Sequence, residues 1–402
     1  MEKKLDIHNY QKRLENTLRF IERSKISEKN KELIMSFRDE LVLQGLSLAR
    51  VERYLSLSRI IAEKINIDFD KAKIEDLKRF VGEIQQREDY SPWTKQLYKV
   101  TLRKFYKWMK QTEEYPPEVS WIKINVSKSE KKLPSEGELL TENEVRQLIN
   151  STNNLRDKAL ISVLYESGCR VGEIGTMRIK NVSSDKYGIL LSVRGKTGAR
   201  KIRIVSSLFA LNSWLSVHPF KFDNEKPLWV RLDGKQPGKL LCYDAIRVML
   251  KNAFNKAGIK KKHNPHFFRH SRATQMANHL TEFQMNQYFG WAQGSDMPST
   301  YVHLSGRETD GAILAMNGII IDKNKDTESS KPLLCPRCDY LNPHGREHCI
   351  KCDLIIDEGE RLKQEIKDKD SFTEDSICED TLTKLFRKPR FRALVMSELG
   401  NI

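Results

Sequence analysis

Two groups of residues in this 402-residue chain have the types and spacing to do chemistry. The first is sulfur. Cys335-x-x-Cys338, ten residues, then Cys349-x-x-Cys352 is the spacing of two knuckles that close on one tetrahedral zinc ion. His344 and His348 lie inside the loop and are alternative ligands, but both CxxC pairs are intact, so an all-cysteine site is expected. Four thiolates leave no open position for water, which makes the expected role structural. The total of seven cysteines is odd, and Cys169, Cys242 and Cys378 are scattered. That distribution suits a metal site in a reducing compartment, not a disulfide framework.

The second group is made of side chains suited to phosphate. Arg170 follows an apolar helical run and can offer a planar fork, although an Arg170–Glu173 pair also reads as a surface ion pair. Lys196 sits at a glycine-flanked turn and can reach a ligand held elsewhere; an ordinary exposed lysine is the alternative. His266 and Arg269 are three apart and share a helix face. Trp291 and Tyr301 come next, and a tyrosine can attack phosphorus once it loses its proton. With twelve tyrosines in the chain, only the joint pattern carries weight.

That joint pattern resembles the tyrosine recombinase (phage integrase) family. Arg170, Lys196, His266-x-x-Arg269, Trp291 and Tyr301 stand in the family's order. The local wording agrees: LYESGCRVGEI, RGKTGARKIRI, PHFFRHSRAT and FGWAQGSDMPSTYVHL. The resemblance covers roughly residues 140–310, and SPWTKQLYKVTLRKFYKWM looks like the family's core-binding domain. One position departs: many members have histidine where Trp291 stands, and an indole N–H donates but cannot shuttle a proton. Trp291 is therefore expected to bind phosphate and pack. The cysteine segment is similar to short zinc ribbons, and a ribbon after the recombinase unit fits archaeal-type integrases.

The resemblance implies a DNA-cutting and rejoining reaction. Tyr301 would attack the scissile phosphate and form a 3′-phosphotyrosyl link, freeing a 5′-hydroxyl. Arg170 and Arg269 would neutralise the pentavalent transition state, and Lys196 would protonate the leaving oxygen. His266 would assist proton transfer from the tyrosine or bind the phosphate. No ATP and no catalytic metal would be needed, since the covalent intermediate conserves the bond energy. The expected partners are double-stranded DNA and further copies of the chain, as a dimer or tetramer on paired sites. The competing readings are a non-catalytic DNA-binding or regulatory protein on the same fold, and a type IB topoisomerase-like relaxer. The expected location is cytoplasmic, nucleoid-associated and prokaryotic.

The elements that must position these residues are mainly helical. Leu33, Phe37 and Leu41 repeat at helical spacing, as do Tyr98, Leu102, Phe105 and Met109. The latter helix opens on Ser91-Pro92, an N-cap followed by proline at its first position. Its other positions include Lys95, Lys99, Arg103 and Lys107, a basic face that can lie on DNA phosphates, with a solvated lysine face as the alternative. Pro116, Pro117 and Pro134 mark a break. Thr141 to Glu144 reads as a capping box opening the next helix. An apolar helix over 155–167 precedes two β-rich runs, 188–194 and 201–205, joined as a hairpin. Helical patterns resume over 243–257, 266–280 and 281–289.

The expected fold is mainly α with a small antiparallel β-sheet. It divides into a helical core-binding domain (1–125), a linker (126–138) and a mixed α/β catalytic domain (139–320). A second linker (321–332), a small zinc ribbon (333–356) and a charged tail (357–402) follow. Composition agrees. Lys and Arg number 70 against 54 Asp and Glu, a formal net charge of +16, which points to a polyanionic partner. The 39% hydrophobic content and 16 Phe, 12 Tyr and 6 Trp exclude disorder throughout. No apolar run approaches ~18 residues, so no membrane span is expected. MEKKLDIHNYQKRLENT has no apolar core, so no signal peptide is expected. The basic run Lys384 to Arg390 is a further candidate for DNA contact, with a solvated tail as the alternative.

Overall fold

The protein is described from a computed structural model. It covers residues 5–127; 136–304 apart from 186, 196–197, 233–235 and 278; 316; and 333–356 apart from 339 and 343–347. Cys378, His344 and the run Lys384 to Arg390 lie outside the described residues.

The N-terminal segment is a set of amphipathic helices around one apolar core. They are α1 (Tyr10–Arg23), α2 (Glu28–Leu43), α3 (Leu48–Ile65), α4 (Ile74–Gln86), α5 (Pro92–Met109) and the short α6 (Pro117–Ser120). Phe37 and Leu41 on α2 and Tyr98, Leu102 and Phe105 on α5 are buried, as the helical spacing requires, whereas Leu33 and Met109 are only half-buried against the core and Ile34 is buried in addition. Phe37 meets Phe105 edge-on at 5.0 Å, and the Tyr106 hydroxyl donates to the Phe69 carbonyl at 3.0 Å. Ser91 caps α5 by accepting from the Thr94 N–H at 3.1 Å, with Pro92 at its first position.

The second run of helices begins with α7 (Glu142–Asn150), opened by the Thr141–Glu144 capping box in both directions. Next is α8 (Leu155–Ser167), whose residues are buried around its whole circumference. A helix buried on all sides is a central one, and its buried Arg156 and Asp157 pair with each other. The short α9 (Val171–Gly175) follows, then the strands β1 (Val182–Asp185), β2 (Gly188–Gly195) and β3 (Gly198–Ile204). They form an antiparallel sheet in the order β1-β2-β3, so the expected hairpin is present and β1 is an addition to it. β1 escapes sequence reading because only its first residue is even half-buried, which erases the alternation.

The remaining helices are α10 (Leu208–Ser216), α11 (Tyr243–Lys256), α12 (Pro265–Ala277), α13 (Glu282–Phe289) and α14 (Met297–Leu304). α12 packs on α8, α13 and α14. Two short strands near the C-terminus, β4 (Leu333–Leu334) and β5 (Leu341–Asn342), pair antiparallel. No helix among the described residues is long and apolar enough to cross a membrane.

The described residues fall into two compact units. One draws on Met1–Val182, Ser192–Ile202 and His218–Arg307; the other draws on Ser183–Leu191, Arg203–Val217 and Glu308–Ile402. The phosphate-friendly residues belong to the first unit and the four clustered cysteines to the second.

Candidate active site and metal centre

Arg170 is placed by the end of α8. The helix stops because Gly168 takes the left-handed conformation, with φ +55°. A side chain there would be strained, and its Cβ would come within 2.6 Å of the Phe289 ring. The chain turns through Cys169 and begins α9 with Arg170 as its N-cap. The Arg170 guanidinium donates to Glu173 Oε1 at 3.2 Å and to the Gly290 carbonyl at 3.3 Å. It still keeps 34% of its side-chain surface open.

Glu173 is the anchor beneath it. Its carboxylate takes Nη1 and Nη2 of Arg200, on β3, at 3.0 and 2.8 Å. Arg200 also donates from Nε to the Tyr288 carbonyl at 2.8 Å. Burial alone would push the Glu173 carboxyl up, but the hydrogen bonds and charge of Arg200, with help from Arg170, hold it below the usual range. Gly195, at the end of β2, lies so close that any side chain there would run into this carboxylate. Lys196 follows Gly195 directly and lies outside the described residues.

Arg269 comes from α12 and is buried. Its Nη1 donates to the Gly168 carbonyl at 3.1 Å and its Nη2 to the Phe289 carbonyl at 2.7 Å. The two bonds tie the ends of α8 and α13 together through one side chain. Its charge also sits 5.2 and 5.3 Å from the Phe289 and Trp291 ring centres. Burial and the neighbouring charge of Arg170 bring its pKa down to about 10.

Trp291 follows the left-handed Gly290 that ends α13. Its indole lies flat between two rings: Phe289 at 4.9 Å and Tyr301 at 5.4 Å, the latter only 5° from parallel. Tyr301, on α14, is only 1% exposed. Burial raises its phenol to about 12, against the pull of Arg269. Its hydroxyl is 2.7 Å from Nδ1 of His270. His266 is exposed one turn earlier on α12, and its ring centre is 6.4 Å from that of His270. The neighbours packed around its ring desolvate it enough to lower its pKa although the residue keeps open surface, and the charges of Arg269 and Arg170 lower it further.

The structure therefore brings Arg170, His266, Arg269, Trp291 and Tyr301 into one neighbourhood. Three further residues belong there. His270 and Arg200 stand inside the quoted motifs, and Glu173 is the expected ion-pair partner of Arg170, yet none of the three is singled out by residue type. The i, i+4 spacing of His266 and His270 is the one local signal for His270. Of the two tasks expected of His266, contact with the phenol goes to His270.

The basic face of α5 is half-buried rather than free. Lys95 donates to the Gln85 carbonyl at 2.7 Å, and Arg103 lies 3.7 Å over the Tyr115 ring and donates to the Ile122 carbonyl. Lys107 sits 5.5 Å from the same ring, and Lys99 also has an interaction within the chain.

In the second unit, the ligand atoms of Cys335, Cys338, Cys349 and Cys352 all lie within 4.8 Å of one another. The pairs Cys335–Cys352 and Cys338–Cys349 are 3.6 Å apart at sulfur. Tetrahedral coordination at ~2.3 Å per bond separates sulfurs by roughly 3.8 Å, so the four thiols fit one metal ion. Cys349 receives N–H donors from the Lys351 backbone at 3.4 Å and the buried Asn342 amide at 3.5 Å. Such donors outweigh the cost of burial and pull its thiol down to about 6. His348 instead faces the Asp353 carbonyl at 3.2 Å.

Comparison with known proteins agrees with this geometry. The model of the Phage integrase family matches residues 138–308. Tyrosine recombinase XerA of Pyrococcus horikoshii is 26% identical over 261 residues, covering 64% of this chain and 84% of that protein. Among solved structures, XerH site-specific recombinase bound to palindromic difH substrate superposes with TM-score 0.53 at 17% identity, over 79% of this chain and all of that one. A lambda integrase tetramer bound to a Holliday junction gives TM-score 0.53 at 14% identity, over 69% and 78% of the two chains. The structures establish a shared fold, and the family match covers the segment that carries the arginines, the histidines and Tyr301. Residues 138–308 of this chain are a phage integrase domain, and the relatives reported are tyrosine recombinases.

Proposed function

We propose that the protein is a site-specific DNA recombinase or integrase that cuts and rejoins strands through a phosphotyrosyl link on Tyr301. The observation that carries this is the convergence of one buried tyrosine with Arg170, just past the end of α8, and Arg269, within α12, inside the segment matched by the family. A phosphodiester placed against Arg170 finds a guanidinium with open surface. Arg269 adds positive charge from beneath, in a low-dielectric setting where it acts strongly on a developing oxyanion. His266, exposed beside them, is a neutral donor to the same oxygens. Lys196, next in sequence to Gly195 against Glu173, is the acid for the leaving 5′-oxygen. Trp291 holds the Tyr301 ring by stacking.

The partner is double-stranded DNA. Its affinity should fall steeply with salt, with a log–log slope of roughly −0.9 for each phosphate neutralised. Lys95, Lys99, Arg103 and Lys107 on α5 are candidates for backbone contacts made by the helical segment 1–125. The XerH and lambda integrase structures hold DNA, the latter as a tetramer, which supports assembly of several copies on paired sites. Residues 333–356 form a ribbon whose four cysteines hold zinc as a structural ion. A DNA-acting enzyme of this kind works in the cytoplasm on the nucleoid.

The test is a nicked suicide duplex, on which the cut strand diffuses away and traps the covalent state. Wild type should give a protein–DNA adduct that survives denaturation, and Tyr301→Phe should give none. No adduct from wild type overturns the enzyme reading in favour of a DNA-binding protein on the same fold.

A further inference from the structure

Among the described residues, the Tyr301 hydroxyl meets one hydrogen-bonding partner, Nδ1 of His270 at 2.7 Å. The two ring centres are 5.8 Å apart and the planes are tilted by 37°. The groups come from different helices, α12 and α14, that pack directly on each other. Stacking on Trp291 fixes the other face of the phenol. The contact is thus imposed from two sides rather than left to a mobile side chain.

We infer that His270 is a further catalytic residue, the acceptor through Nδ1 of the phenolic proton as Tyr301 attacks phosphorus. The inference rests on the recombinase reading above. The need for such an acceptor follows from burial. With the phenol raised to about 12, roughly one molecule in 10⁵ carries a phenolate at pH 7. His270 is neutral there, because burial first, and then the titratable neighbours His266, Arg269 and Lys262, bring it down to about 4. Those three face it from its own helix and the segment before it; Tyr301 is the titratable group facing it from α14. A phosphodiester bound at Arg170 and Arg269 adds a negative charge that offsets them and makes His270 a stronger base when substrate is present.

The step balances. The Tyr301 O–H bond breaks and the proton passes to His270 Nδ1 while the oxygen electron pair forms the bond to phosphorus. The bond from phosphorus to the 5′-oxygen breaks, and that oxygen takes a proton from Lys196. Rejoining reverses each transfer, with the imidazolium of His270 returning its proton to the departing phenolate.

Single-turnover cleavage of the nicked suicide duplex, measured from pH 6 to 9, tests this on the full chain. Wild type should be nearly flat above neutral pH. His270→Ala and His270→Gln should be slower by on the order of 10²–10⁴ near neutrality, the usual contribution of a general base. Their rates should climb about tenfold per pH unit, because the phenol must then ionise unaided. The Gln variant keeps a polar side chain of similar reach, and both variants should still shift the duplex on a gel. Wild-type rates in both variants overturn the assignment. So does a slowed variant with the wild-type pH profile, or full rescue by Gln, since each marks a purely positional role. Absence of adduct from wild type overturns the recombinase reading instead, so the two failures are distinct.

Discussion

The carboxylate of Glu173 holds Arg200 by a two-pronged ion pair at 3.0 and 2.8 Å, with the carboxylate 4% and the guanidinium 10% exposed. The same carboxylate meets Arg170, and the same arginine grips the Tyr288 carbonyl. One buried pair therefore sets both the open guanidinium of Arg170 and the approach of β3 to α13.

Removing the acid should be far worse than removing a surface charge. Glu173→Ala leaves Arg200 buried without its counter-ion, a change that typically costs about 3–5 kcal/mol. Urea unfolding of the variant should show a loss of that order, together with a drop in suicide-duplex cleavage, since Arg170 loses its anchor. A loss under about 1 kcal/mol, the range of exposed pairs, contradicts the structural assignment.

Acidification should separate His270 from Glu173. The folded pKa of His270 lies below its ordinary 6.5, at about 4, so the folded state resists a proton that the unfolded chain accepts. Its effect is absent above pH 6.5, and stability falls between 6.5 and about 4, by up to about 1.4 kcal/mol per pH unit. Glu173 has the opposite history. Its pKa is depressed, so its stabilisation is present above about pH 4.5 and goes only as pH falls through the folded value. His270→Asn should therefore flatten the urea midpoint between pH 6.5 and 5 relative to wild type. Parallel curves for the two proteins argue against a desolvated His270.

Gly168→Ala tests the joint that presents both arginines. The new Cβ would be strained at φ +55° and would press on Phe289, whose carbonyl, like that of Gly168, accepts from Arg269. The expectation is a destabilisation of about 1–3 kcal/mol by overpacking, with further strain from the backbone conformation, and weaker cleavage. Unchanged melting and cleavage contradict this account of the joint.

Metal analysis of the purified chain should find about one zinc per molecule, lost in Cys335→Ser, because the four sulfurs fit a closed tetrahedral site. Chelation should unfold residues 333–356 first, detected as increased proteolysis there, since a site of this size depends on its ion for stability. A metal-free chain with an intact ribbon removes the metal centre.

The sequence alone determined what local chemistry can fix. Ser91-Pro92 and Thr141–Glu144 mark helix starts because a cap needs only residues within one turn. The cysteine spacing marks four thiols able to hold a metal ion because each CxxC knuckle is itself a local geometry. The order of Arg170, Lys196, His266, Arg269, Trp291 and Tyr301 carries the resemblance to the family matched over residues 138–308. What the sequence could not decide is which of two histidines on one face of α12 meets Tyr301, thirty-one positions away from His270. That depends on how α14 docks, and helical periodicity offers His266 and His270 equally. The grip of Glu173 on Arg200, twenty-seven positions apart, is of the same kind. Such pairs exist only after packing has removed water from them, and so only the tertiary structure chose the partners.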